Sequence, residues 1–419
     1  MKNMLIINLN GINFGLLEQL AKNGIMPKSA DILSSGNCGI LDCGFPVLDT
    51  TSFASFLTGL LPSEHKILGL FKPDRNNMPS AEMVNSKSVA AKTLLEILSE
   101  NNKKIISVYI PLTHPAKPIN GLMVTDTIFR TDKTMSTYPA GLKKTLLRQI
   151  GEPMLPKAEQ FFPVGGFKNK EDVEIFIEKQ SRSITKTRDI SLLAMKTLQA
   201  DAVFVQFYAT DTLQHALWHY IDTSHPGFIN DTKIQSLIYG FFTILDNCIK
   251  SLIEHYKPSS VLLFSNHGFV PCVKILNLKR CLKDFDGPRK AGADLKTIYL
   301  NKKTADSAYA ENLKKYLESV TDDKTGKKVV REVKNIASVL ALDLESGYSC
   351  RPGLENGPLF TPCAADKDYL SGTHTEKGLW AVTGIPLQNK TAHITDLAPM
   401  ILSYFGITRP GYMNGNSLI

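Results

Sequence analysis

Val261-Leu262-Leu263-Phe264-Ser265-Asn266-His267-Gly268 is the stretch on which the fold turns. Four apolar residues followed at once by a polar turn describe a buried strand whose carboxyl end is occupied by groups able to bind or react. In open α/β sheets that end is where ligands sit. Working outward, equally apolar runs occupy 4–9, 105–110 and 202–207. They alternate with segments of helical period: one carrying Leu16, Leu17 and Leu20 on a single face, others at 89–98, 183–198 and 234–255. That alternation predicts an α/β fold with a mostly parallel central sheet flanked by helices.

The 419 residues, 43% hydrophobic and 21% charged, suffice for one large core carrying an insertion. The net charge of +8 is spread in pairs such as Lys103-Lys104, Lys143-Lys144 and Lys327-Lys328. Scattered pairs do not form a nucleic-acid footprint, and the positive balance suits a small anionic substrate better. The seven cysteines include no CxxC pair, which fits reduced thiols and a cytoplasmic location. The start, Met1 to Ile7, reads as a first strand rather than a signal peptide. No apolar run approaches the roughly 20 residues that span a bilayer, so no membrane partner is expected; a homo-oligomer is left open.

Residues 1–268 are expected to form the core, with a Gly/Pro-punctuated excursion at about 131–180. Residues 269–370 change texture and read as an inserted cap, and 371–419 return to the core, ending in a helix at 394–405. Around 45–52 a hydroxyl-rich turn enters a helix holding Phe53, Phe56 and Leu57. Free N–H groups at such a start can cradle an oxyanion, or the turn is simply an N-cap. Asp211 and His215, four apart just past a strand, would share one helical face, as two ligands of one metal require. His114, between prolines, reads as a packing residue, His219 and His225 as surface or cap residues, and Asp322 to Gly326 as a surface turn.

Polar residues at expected strand ends are Asn10, Asp49, Asp211, His215, Asn266, His267 and His374, a mixture suited to a transition metal. At these positions the chain resembles the alkaline phosphatase superfamily, in particular its type I phosphodiesterase/nucleotide pyrophosphatase branch and the predicted phosphohydrolase/phosphomutase group. The likeness runs through 45–65, 111–126, Asp211 to Trp218, Ser265 to Gly268 and Gly372-Thr373-His374, in the family's order. It implies a metal held by Asp211, His215 and His374. The family's second metal site takes two Asp residues, a His and a nucleophilic Thr. Here those positions read Asn10, Asn266, His267 and Asp49.

Two carboxylates and a hydroxyl have thus become two amides and a carboxylate, one fewer negative charge. Amide oxygens are weak ligands for a dication, so one zinc ion is expected and the second position is weakened. The implied enzyme is a metal-dependent hydrolase on a phosphate ester or related small metabolite, with Asp49 and His267 catalytic and Asn10, Thr50 and Asn266 binding substrate. The alternatives are a non-catalytic binding or regulatory relic, or a lyase or group-transfer enzyme of specialised metabolism.

Overall fold

The computed structural model describes residues 2–35, 37–126, 135–151, 167–286, 290–303, 308–363, 370–387 and 391–419. A nine-stranded sheet forms its centre, in the order Ala392–His393, Cys38–Asp42, Lys377–Val382, Ser260–Ser265, Met4–Leu9, Ala202–Phe207, Ile105–Val108, Gly121–Val124, Thr137–Tyr138. The strands from Ser260–Ser265 through Gly121–Val124 are parallel, with Met4 opposite both Ala202 and Ser260. Lys377–Val382 runs antiparallel to both its neighbours, and Thr137–Tyr138 closes the far edge antiparallel.

The first strand shows why its sequence is apolar at every position but Asn8. Leu5, Ile7 and Leu9 face one helical layer, Met4 and Ile6 the other, and all five are buried. A strand covered on both faces has no polar side to alternate with. One layer holds the helices Phe14–Lys22, Lys170–Thr197 and Thr232–Tyr256. The other holds Asp49–Thr58, Leu94–Glu100 and Leu397–Tyr404. Thr232–Tyr256, with a mean hydropathy of 1.3 in its most apolar window, is long and apolar enough to cross a membrane. Here it buries Ile234, Ile238, Phe241, Phe242 and Leu245 in the core of the sheet.

Several element bounds differ from the expectation. The helix expected at 183–198 begins at Lys170, capped by Asn169, so the last part of the expected excursion is helical. The rest of that excursion includes the edge strand Thr137–Tyr138 and the helix Leu142–Gln149; 131–134 and 152–166 lie outside the described residues. The helix expected from 89 starts at Leu94, because Thr93 and Glu96 form a reciprocal capping box there. Ile394–Asp396 is a 3-10 turn, and the terminal helix starts at Leu397.

Beyond His267 the chain leaves the sheet along Gly268–Asn277 and builds a second, antiparallel sheet of four strands: Ala291–Ala293, Thr297–Leu300, Val339–Leu344 and Val330–Ile336. That sheet has its own core, where Leu313 and Leu317 of the helix Ala308–Glu318 pack on Ile298, Leu340 and Leu342. Gly268–Asn277 also pairs with Gly347–Arg351 and with Gly372–Thr375, setting Phe269 opposite His374.

Candidate metal and phosphoester site

Asp49 is the first residue of the helix Asp49–Thr58, where the N-terminal end of the helix dipole favours a negative charge. Its carboxylate is gripped from three sides. Asn266 Nδ2 donates to Oδ1 at 2.6 Å, Asn10 Nδ2 to Oδ2 at 3.4 Å, and His267 Nε2 lies 3.1 Å from Oδ1. Burial works against ionisation, but the hydrogen bond and charge of His267, together with His374 and Asn266, hold Asp49 well below the usual carboxylate range. The two amides are therefore matched to the carboxylate. Aspartates at 10 and 266 would face a third negative charge, whereas amides face it with N–H groups. Each amide keeps its carbonyl oxygen buried with no hydrogen-bond partner among the described residues.

Beside Asp49, one oxygen collects three imidazoles. Asp211 Oδ1 lies 3.0 Å from His374 Nε2, 3.4 Å from His267 Nε2 and 3.6 Å from His215 Nε2. Each ring places its other nitrogen on a backbone carbonyl: His215 on Gly372 at 2.8 Å, His267 on Gly268 at 3.2 Å, His374 on Val47. Assigned from those bonds, Nδ1 carries a proton in all three; Nε2 presents a lone pair in His215 and His374, whereas in His267 it also faces Asp49 Oδ1 and can donate to it. Lone pairs converging on a carboxylate oxygen repel unless a cation lies among them. Two ligands about 2.1 Å from one tetrahedral ion are separated by roughly 3.4 Å, which is the spacing found here. The residues present therefore fit a metal. Asp211, His267 and His374 offer ligand atoms within 4.8 Å of one another.

The electrostatics agree. Burial holds His215 down at about 3 and His374 well below its ordinary value, the neutral forms that ligate. Burial pushes Asp211 up to about 6, the nearby Asp49 adding to the shift. Burial also opposes a charge on His267, yet the hydrogen bond it gives Asp49 and that carboxylate's charge raise it, so a proton there stands in for a cation.

The structure brings together Asn10, Asp49, Asp211, Asn266, His267 and His374, with His215 alongside. The tightest cluster differs from the expected set, since His267 joins Asp211 and His374 while His215 lies at its edge. Strand pairing is the cause: the ribbon that sets Phe269 opposite His374 stacks the rings of His267 and His374 with centroids 3.6 Å apart. Thr50 does not present its hydroxyl to this cluster. It is fully buried and donates to the Gly69 carbonyl at 2.9 Å. His219 and His225, expected as surface or cap residues, are buried, and His225 Nε2 bonds the Ser371 carbonyl at 3.1 Å, three residues before His374. A cavity of about 590 Å³ adjoins His374, and Lys296 in its wall donates to the His374 carbonyl at 3.1 Å. Nothing in the polar segment around Lys296 marks it in the sequence.

The sequence pattern of type I phosphodiesterases/nucleotide pyrophosphatases matches residues 4–353. The chain belongs to that family. Family membership supports a phosphoester hydrolase-like function. Among solved structures, this family member is similar to phosphonoacetate hydrolase from Sinorhizobium meliloti 1021, with 14% identity and a TM-score of 0.64 over 95% of this chain and 94% of that one. It is also similar to human ectonucleotide pyrophosphatase/phosphodiesterase 5, with 13% identity and a TM-score of 0.57 over 99% and 97%. The murine counterpart gives 12% and 0.57 over 99% and 98%. These likenesses establish the alkaline phosphatase-like fold. No curated protein sequence matches the chain.

Proposed function

We propose that the protein is a metal-dependent hydrolase of a small phosphoester, working with one zinc-like ion and with Asp49 as nucleophile. The observation that carries this is the convergence of three imidazole nitrogens on Asp211 Oδ1, next to a carboxylate held in place by two amides. Asp211, His267 and His374, with His215 in support, would hold the ion. Bound there, it supplies Lewis acidity toward a phosphoryl oxygen.

The remaining chemistry falls to the chain. Asp49 stays ionised because its partners stabilise the charge, and a carboxylate with so low a pKa is a poor proton acceptor. It is suited instead to attack phosphorus in line, forming an acyl phosphate while the substrate's ester oxygen departs with the bonding pair. Water then opens the acyl phosphate and restores the carboxylate. Asn266 and Asn10 fix the carboxylate by their N–H groups, one on Oδ1 and the other on Oδ2. The overall reaction adds one water across the ester bond.

Metal analysis of the purified protein alongside a phosphoester screen tests the proposal. One ion per chain is expected, lost in His374→Ala, with turnover lost in Asp49→Asn while the ion remains. A full complement of metal in His374→Ala would refute the ligand assignment. Metal without turnover on any phosphoester would move the protein to the binding class.

A further inference from the structure

The cavity beside His374 lies between the central sheet and the inserted one. Phe14, Phe45 and Phe269 line it from the core side, Leu342 and Tyr348 from the insertion. Such walls favour an apolar occupant, yet they contain a half-buried ammonium group, that of Lys296. Its Nζ donates to the His374 carbonyl. Among the described residues no carboxylate lies within ion-pairing distance of it.

The other charged groups lining the cavity are differently placed. Arg331 is paired with Asp343 at 3.0 Å. Glu376 accepts from the Thr375 hydroxyl at 3.0 Å, Lys377 is exposed, and Glu345 is half-buried. Lys296 is thus a cation drawn partly out of water, on which Asp343 and Glu376 act only from a distance, and a ligand carboxylate in direct contact would complete it. Burial accordingly lowers its pKa.

We propose that Lys296 binds a carboxylate carried on the leaving-group side of the substrate, so that the enzyme takes phosphoesters bearing a second, monoanionic group. This rests on the phosphoester assignment above. A single negative charge neutralises a single ammonium. The bond from Nζ to the His374 backbone sets the ammonium beside a metal-ligand residue, so one molecule can reach both while its spacer crosses the apolar wall.

Calorimetric titration of the metal-loaded protein with matched phosphonates tests it without requiring turnover: ω-carboxyalkylphosphonates with one, two or three methylenes, each against the alkylphosphonate of equal length. At one of the three lengths the carboxylated partner should bind at least about tenfold more tightly. Lys296→Met should abolish the difference, Lys296→Arg should retain part of it, and Lys377→Met, which removes an exposed cation from the same cavity, should retain all of it. Equal affinities within every pair overturn the subsite and leave the phosphoester assignment standing. A preference that persists in Lys296→Met, or that is equally lost in Lys377→Met, overturns the role of Lys296. Failure of every phosphonate to bind overturns both.

Discussion

Replacing Asn266 by Asp probes whether the altered half of the site is a matched set. In the native arrangement Asn266 donates to Asp49 Oδ1 at 2.6 Å. The substitution removes a hydrogen bond to a charged acceptor, worth about 1.5–3 kcal/mol. It also sets two carboxylates at that separation, where a unit-charge repulsion at an effective dielectric of 20 amounts to about 6 kcal/mol. The protein can escape the repulsion by protonating one carboxyl group. At pH 7, for a group of ordinary pKa near 3.9, that costs about 4 kcal/mol, and the new O–H then replaces the lost donor. The smaller route sets the expectation, so Asn266→Asp should lose about 4 kcal/mol of stability in metal-free buffer at pH 7, measured by urea denaturation. Combining it with Asp49→Ala should restore most of the loss, a coupling expected only of groups in contact. Excess zinc should also restore it, since a dication between the carboxylates replaces the proton. A loss under about 1 kcal/mol in the single variant, or purely additive losses in the double one, would mean that the two side chains do not share a charge and that the altered residues are unrelated drift.

Two further outcomes are expected. His65 is held neutral, down at about 4, chiefly by burial, with Nε2 on Ser55 Oγ at 3.0 Å and Nδ1 accepting from Ile67 N. Its folded pKa lies below the unfolded value near 6.5, so its contribution is complete above pH 6.5 and is lost as pH falls toward 4. The loss reaches about 3 kcal/mol, and the stability-versus-pH curve of His65→Gln should flatten across that window. Gly378 sits where a Cβ would lie 2.1 Å from the Ser265 carbonyl and 2.8 Å from Cys43 Sγ. Gly378→Ala should therefore separate Lys377–Val382 from Ser260–Ser265, lower the melting temperature by several degrees and weaken metal binding through the displaced His267; unchanged metal affinity would refute that link.

Much of the fold is legible wherever both faces of an element are buried. Met4–Leu9 and Ala202–Phe207 announce themselves because no solvent-facing position interrupts their apolar runs. The first half of Lys170–Thr197 does carry a buried apolar face, Val173, Phe176 and Ile177, but the Lys and Glu residues between them mask that spacing. At the site, Asp211, His215 and His374 stand out by spacing and motif, and Asn10, Asp49 and Asn266 by departure from the family pattern. What sequence alone leaves out is register. No local pattern places Phe269 opposite His374, commits the Thr50 hydroxyl to Gly69, or carries Lys296 from the far sheet to the His374 carbonyl. Those contacts are made by residues distant along the chain, and pairing alone decides them.

The ribbon formed by Gly268–Asn277 and Gly372–Thr375 is both the exit to the inserted region and the return from it. One edge of the ribbon bears His267 at its root, and the other bears His374. A cap joined through a single flexible strand could swing while the centre stayed fixed. Here, hinging at the base would shear one imidazole past the other and dismantle the ligand set. The inserted region is thus anchored by the same joint that aligns the two imidazoles.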